Sequence, residues 1–206
     1  AFYREDFSSL RELTEMKAEA PRLVEQALER GYQVAVATNP LFPRTAILQR
    51  ITWAGLLPDR VPFALIPSYE TFHFAKPNPA YLAEFLAQLG WPEGPVVMVG
   101  DDPELDIEPA RRLGLAAFWI AEPSAMWTGA GAEPPRGSLD DVLHWLDGQP
   151  ADAHLRRQQQ HAQKRGEQDR DKPGHYQRHR HNGDQPLHQT VHNRATSRHP
   201  SFTKIV

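Results

Sequence analysis

Apolar residues along the chain alternate between two kinds of run. Short continuous runs at Val34–Ala37, Phe63–Ile66, Val96–Val99 and Ala116–Ile120 have the length and bounding turns of strands buried on both faces. Between them the apolar positions recur at helical spacing. Phe2, Phe7, Leu10 and Leu13 make a first stripe, and Leu23, Val24, Ala27 and Leu28 a second, with Pro21 in its first turn and Gly31 as its stop. Ile47, Leu48, Ile51 and Ala54 mark a helix over 43–57 that Trp53 extends, and another helix runs from near Pro79 to Gly90. A further stripe at Ile107, Ala110, Leu113 and Leu115 stops at Gly114, and Val142, Leu143, Trp145 and Leu146 form a last one over 139–146. Residues 128–137, rich in Gly and Pro, read as a loop. Helix and strand therefore alternate throughout, which predicts an α/β fold with a parallel sheet and helices on both faces.

In that architecture the carboxyl ends of the strands share one edge, where ligands bind. Three polar features fall there. After Val96–Val99 and Gly100 come Asp101, Asp102, Glu104 and Asp106, four carboxylates within six residues. One or two acids at this point would be read as charge complementing a helix dipole. Four repel one another unless a divalent metal, or a metal plus a lysine, sits among them. After Val34–Ala37, Thr38 and Asn39 are placed to donate to an anion, with a plain strand-ending turn as the alternative. Lys76 precedes Pro77 and Pro79, which fix where its stem starts; taken alone it reads as a solvated surface charge. Trp53 is assigned to packing rather than ligand stacking, and His73 to a loop or packing role. Anion donors, one cation and metal-binding carboxylates converging on one edge suit a phosphate ester.

Charge divides the chain. The net charge is −3, yet residues 1–150 carry −9 and residues 151–206 carry +6. The sequence has no cysteine, which excludes disulfides, thiolate zinc sites and a cysteine nucleophile. Every apolar run is far short of the roughly 20 residues a membrane helix needs, and no leader pattern opens the chain, so a cytoplasmic protein is expected. From residue 149 the composition turns to His, Arg and Gln, with eight of the 10 histidines in this part. Such a segment buries too little apolar surface to offset its ordering entropy, and residues 149–206 are expected to be a disordered tail. His179, His181, His188 and His192 could chelate a transition metal, and the basic charge could contact nucleic acid. Without interleaved aromatics a nucleic-acid partner is not expected. The abrupt onset after a complete helix points instead to a functionless, out-of-frame extension.

VAVATNP at 34–40, AKPNPAYL at 75–82 and VGDDPELDI at 99–107, in this order and followed by the ARRLGL helix, resemble the haloacid dehalogenase (HAD) superfamily over about residues 23–121. The resemblance implies a Rossmann-like core over 21–148 and a Mg²⁺-dependent phosphatase acting on a small phosphorylated substrate. Thr38 matches the strand-ending residue that hydrogen-bonds the phosphoryl group, with Asn39 beside it. Lys76 matches the lysine that neutralises phosphate and the attacking carboxylate. Asp101 matches a metal ligand and Asp106 the second acid of that motif, with Asp102 as the alternative in the metal shell.

The chain departs from the family pattern at its first motif, a strand ending Asp-x-Asp whose first aspartate is the nucleophile that forms an aspartyl-phosphate. Asp6 is the single aspartate before Thr38, and it follows no strand. The resemblance therefore implies that the central first strand is missing, that residues 1–20 are the remnant of a helical cap, and that the chain as written is inactive. Removing a central strand would leave two unpaired inner edges and an apolar slot, hence a marginal or aggregation-prone chain. A non-catalytic HAD-like module binding a metal, an anion or a protein is the alternative reading.

Overall fold

The computed structural model describes residues 2–148 and the backbone of 203–205. A short helix α1 (Phe2–Glu5) and a 3-10 helix (Phe7–Leu13) lead into α2 (Glu19–Glu29) and β1 (Gln33–Ala35). Then come α3 (Arg44–Trp53), α4 (Pro79–Gln88), β2 (Val96–Gly100), a π-helical turn (Pro103–Ile107) and α5 (Glu108–Arg112). The order ends with β3 (Ala116–Ile120), β4 (Arg136–Gly137), α6 (Leu139–Asp147) and β5 (Thr203–Ile205). All five strands are parallel, in the order β1-β5-β2-β3-β4.

Because side chains alternate across a strand, these strands sort the core into two layers. Val34, Val97, Val99 and Phe118 face α2 and α6, meeting Leu23, Val24, Val142 and Leu146. Ala35, Val96, Met98 and Trp119 face the other side, against Tyr81, Leu82 and Phe85 of α4 and Ile107 and Ala110. The expected parallel sheet with helices on both faces is thus present. Local chemistry sets the helix ends: Asn78 accepts from the Ala80 N–H at 2.9 Å to cap α4, and Ser138 with Asp141 forms a capping box for α6. Gly55 and Gly114 close α3 and α5 with φ of 80° and 79°, a conformation that a β-carbon disfavours. Trp53 packs, as expected, stacking on Phe7 with ring centroids 5.2 Å apart, and so ties the amino-terminal residues to α3.

Four expectations need correction. Phe63–Ile66 is not a strand. It lies along β1 with only two backbone bonds, Ala64 N–H to Val34 O at 2.8 Å and Val36 N–H to Leu65 O at 3.0 Å. Pro62 and Pro67 bracket it and deny it further ladder donors. The 128–137 loop ends in β4, where the Trp119 N–H reaches Pro135 O at 2.9 Å. The first stripe is a four-residue helix and a 3-10 helix rather than one α-helix. Finally, the inner edges of β1 and β2 are not left unpaired, because β5 pairs with both: Val34 and Val97 each oppose Lys204. The rest of the expected tail, including His179, His181, His188 and His192, lies outside the described residues.

Candidate active site

The carboxyl edge of the sheet is shaped by the turn after β2. Asp102 caps it, its Oδ1 accepting the Glu104 and Leu105 N–H groups at 2.9 Å each. The turn then opens to π geometry, with the Asp102 carbonyl accepting from both Asp106 N–H (3.0 Å) and Ile107 N–H (3.3 Å). This wider turn carries the Asp106 side chain back over Gly100. A β-carbon at Gly100 would lie 2.4 Å from both Cβ and Oδ2 of Asp106, so the glycine is required by this close approach.

Asp106 is the buried centre of the site. Its Oδ1 forms an ion pair with Lys76 Nζ, and its Oδ2 accepts the Asp102 N–H at 3.2 Å. The two side chains of the pair are only 9% and 8% exposed, so each charge depends on the other. Two further contacts hold Lys76: its N–H donates to Asn39 Oδ1 at 3.1 Å, and its ammonium lies 5.8 Å from the Tyr81 ring centroid. The Lys76–Pro77 peptide is cis. The wholly buried Tyr81 donates its hydroxyl to the Thr38 carbonyl at 2.8 Å. Burial, then the charges of Asp106 and Glu84, push the Tyr81 hydroxyl well above its ordinary range, so it stays a donor.

These contacts draw together Thr38 and Asn39, Lys76, and the 101–106 turn, three segments far apart in sequence. The Thr38 hydroxyl makes no hydrogen bond among the described residues, and Asn39 has committed only its oxygen, leaving its amide nitrogen to donate. Asp101 is exposed; its backbone carbonyl accepts from Trp119 Nε1 at 3.0 Å, while its carboxylate has no partner among the described residues. Of the expected metal ligands, then, Asp106 is engaged by Lys76 and Asp102 is engaged in capping. Among the described residues no three His, Asp or Glu side chains cluster to hold a metal. A cleft of about 790 Å³ opens beside Asp101, lined by Lys17, Glu19, Arg136 and Asp140 among others.

Sequence reasoning missed two contributors. Tyr81 lies in the first turn of α4, close behind Lys76, and its helical phase would have turned it toward the sheet edge. Trp119 stands opposite Gly100 in the β2–β3 register, which aligning the two strand ends could have found.

His73, expected in a loop or packing role, is exposed and binds Glu84, its Nδ1 lying 2.7 Å from Oε1. Burial raises the Glu84 carboxyl, but hydrogen bonds from the His73 side chain and the His73 and Phe74 N–H groups outweigh it and hold it below its usual range. A depressed carboxyl adds stability above its unfolded value, about 4.3, and loses it as pH falls through the folded value. Thermal midpoints recorded from pH 6 to pH 3 should therefore fall more steeply for the wild type than for Glu84→Gln. Parallel curves would remove this contribution.

A family model described as haloacid dehalogenase-like hydrolase matches residues 1–114. A search among curated proteins finds no match. Among solved structures, a HAD phosphatase from Thermococcus onnurineus aligns with TM-score 0.56 and 20% identity, over 71% of this chain and 65% of that one. This chain thus spans about two thirds of that protein's length. A 2-haloacid dehalogenase from Pseudomonas syringae pv. Tomato DC3000 aligns with TM-score 0.49 and 22% identity, over 65% and 54% of the two chains. An uncharacterized protein from Listeria monocytogenes serotype 4b gives 0.47 and 23%, over 63% and 78%.

Proposed function

We propose that this chain, which belongs to the haloacid dehalogenase-like hydrolase family, carries the phosphate-gripping and charge-balancing part of a phosphomonoester hydrolase. The observation that carries this reading is the buried Lys76–Asp106 pair, tied through Asn39 to the Thr38 turn at the carboxyl edge of the sheet. A lysine so held is a fixed ammonium at the same sheet edge as an uncommitted hydroxyl, which suits a phosphoryl dianion.

In this reading the Thr38 hydroxyl and the Asn39 amide donate to phosphoryl oxygens. Lys76 balances their charge, while Asp106 keeps its ammonium in place. Asp101 is the carboxylate available to a hard cation. Mg²⁺ fits such a place, since it keeps several waters and needs only one or two protein carboxylates besides the phosphate. When bound it supplies a Lewis acid that neutralises phosphoryl charge. The cleft beside Asp101 has room for the alcohol part of the ester. Among the described residues no aspartate ends β1 or precedes it on a strand, so binding without turnover is the expectation here.

Titration with p-nitrophenyl phosphate and Mg²⁺ tests the assignment. Saturable binding without release of nitrophenolate is expected, together with at least a tenfold weakening in Asp101→Ala. No binding, or binding indifferent to that change, would sink it, as would turnover that survives it.

A further inference from the structure

The strand that pairs with both β1 and β2 comes from the far end of the chain. Thr203–Ile205 lies between β1 and β2, Thr203 opposite both Gln33 and Val96, Lys204 opposite Val34 and Val97, and Ile205 opposite Ala35 and Met98. The residues flanking it are nearly inaccessible: Val34 and Ala35 are 0% exposed, and Val97 and Met98 are 1% exposed. An empty slot here would strand the backbone donors and acceptors of two buried edges, so the fold demands an occupant.

It does not demand that the occupant be the chain's own. Fifty-four residues, 149–202, separate α6 and Gly148 from Thr203. At full extension that length could span up to about 180 Å, several times the width of a small domain. A connection this long holds the strand at an effective concentration of at most about the mM range, because that quantity falls steeply with length. A three-residue strand also makes too few ladder bonds to be locked in place. The contacts formed in the slot are the same whichever copy donates the strand, which is the condition under which exchange between protomers costs little.

We infer that the slot between β1 and β2 is an exchangeable strand acceptor, filled reciprocally by Thr203–Ile205 of a second copy of this chain as its concentration rises. The two slots of such a dimer are equivalent, so it closes with twofold symmetry and leaves no free strand.

Sedimentation velocity of the full chain from about 1 μM to about 500 μM tests this, with native mass spectrometry of mixed isotope-labelled and unlabelled protein. A dimer fraction that climbs with concentration, and labelled–unlabelled hybrids, are expected. A synthetic peptide of residues 198–206 in excess should lower the dimer fraction at least fivefold, whereas the same peptide carrying Lys204→Pro, which removes a ladder donor, should not. A monomer at every concentration overturns the inference. So does a dimer that persists in excess peptide, or one that both peptides dissolve alike. The competing peptide leaves the chain itself unaltered, so a folding defect cannot imitate the result.

Discussion

Lys76→Met is expected to cost the protein about 3–5 kcal/mol, because it leaves the Asp106 carboxylate buried with a single N–H partner. The magnitude follows from burial. An exposed ion pair would be worth roughly 0–1 kcal/mol, but side chains 9% and 8% exposed have little solvent to fall back on. Urea denaturation of the variant should show the loss. The double variant Lys76→Met/Asp106→Asn should recover at least half of it, since a neutral amide carries no uncompensated charge. A single-variant loss under about 1 kcal/mol would place this pair among surface bridges and remove the basis for a fixed ammonium in the site. Phosphomonoester binding should fall in both variants, which separates the stability role of the pair from its proposed role toward the ligand.

Gly100→Ala should be the second most damaging change, although alanine normally improves on glycine within a strand. The added carbon would sit 2.4 Å from Asp106 Cβ and Oδ2 and 2.6 Å from Cγ. Asp106 cannot yield, because Lys76 holds one oxygen, the Asp102 N–H holds the other, and the π turn fixes its backbone. Overpacking of this kind costs about 1–3 kcal/mol. Gly148→Ala is the matched control, since its new carbon would approach backbone oxygen no closer than 3.6 Å. It should change stability by less than about 0.5 kcal/mol. Equal effects at the two glycines would mean that the Gly100–Asp106 contact is slack.

The elements that could be read from the sequence were those whose own residues determine them. Ala116–Ile120 is a short apolar run with Gly114 before it and Pro123 after it, the length and flanks of a strand buried on both faces, and α6 starts where Ser138 and Asp141 cap each other. Thr38, Lys76 and Asp101 could be placed on one edge because parallel topology puts every strand's carboxyl end there. What sequence could not give was how the charges divide among partners. Asp106 reads as a second acid of the metal site beside Asp101, yet the π turn places it against Lys76 and leaves the Asp101 carboxylate exposed and without a partner among the described residues. Strand β5 was illegible for a different reason. Little in the residues around Thr203–Ile205 marks them as a central strand, and the unpaired edges of β1 and β2 select them. Phe63–Ile66 shows the converse, an apolar run that its flanking prolines keep from a full ladder.

Thr38, Lys76 and Asp101 are proposed to act on one phosphate group. Amide chemical shifts followed by NMR during titration with inorganic phosphate in the presence of Mg²⁺ test it most directly. The signals of Thr38, Asn39, Lys76 and Gly100–Asp102 are expected to move together along a single binding isotherm and to stay still in Lys76→Met. Shifts confined to the basic residues Arg111 and Arg136, or movement at Thr38 and Asp101 with different affinities, would contradict it.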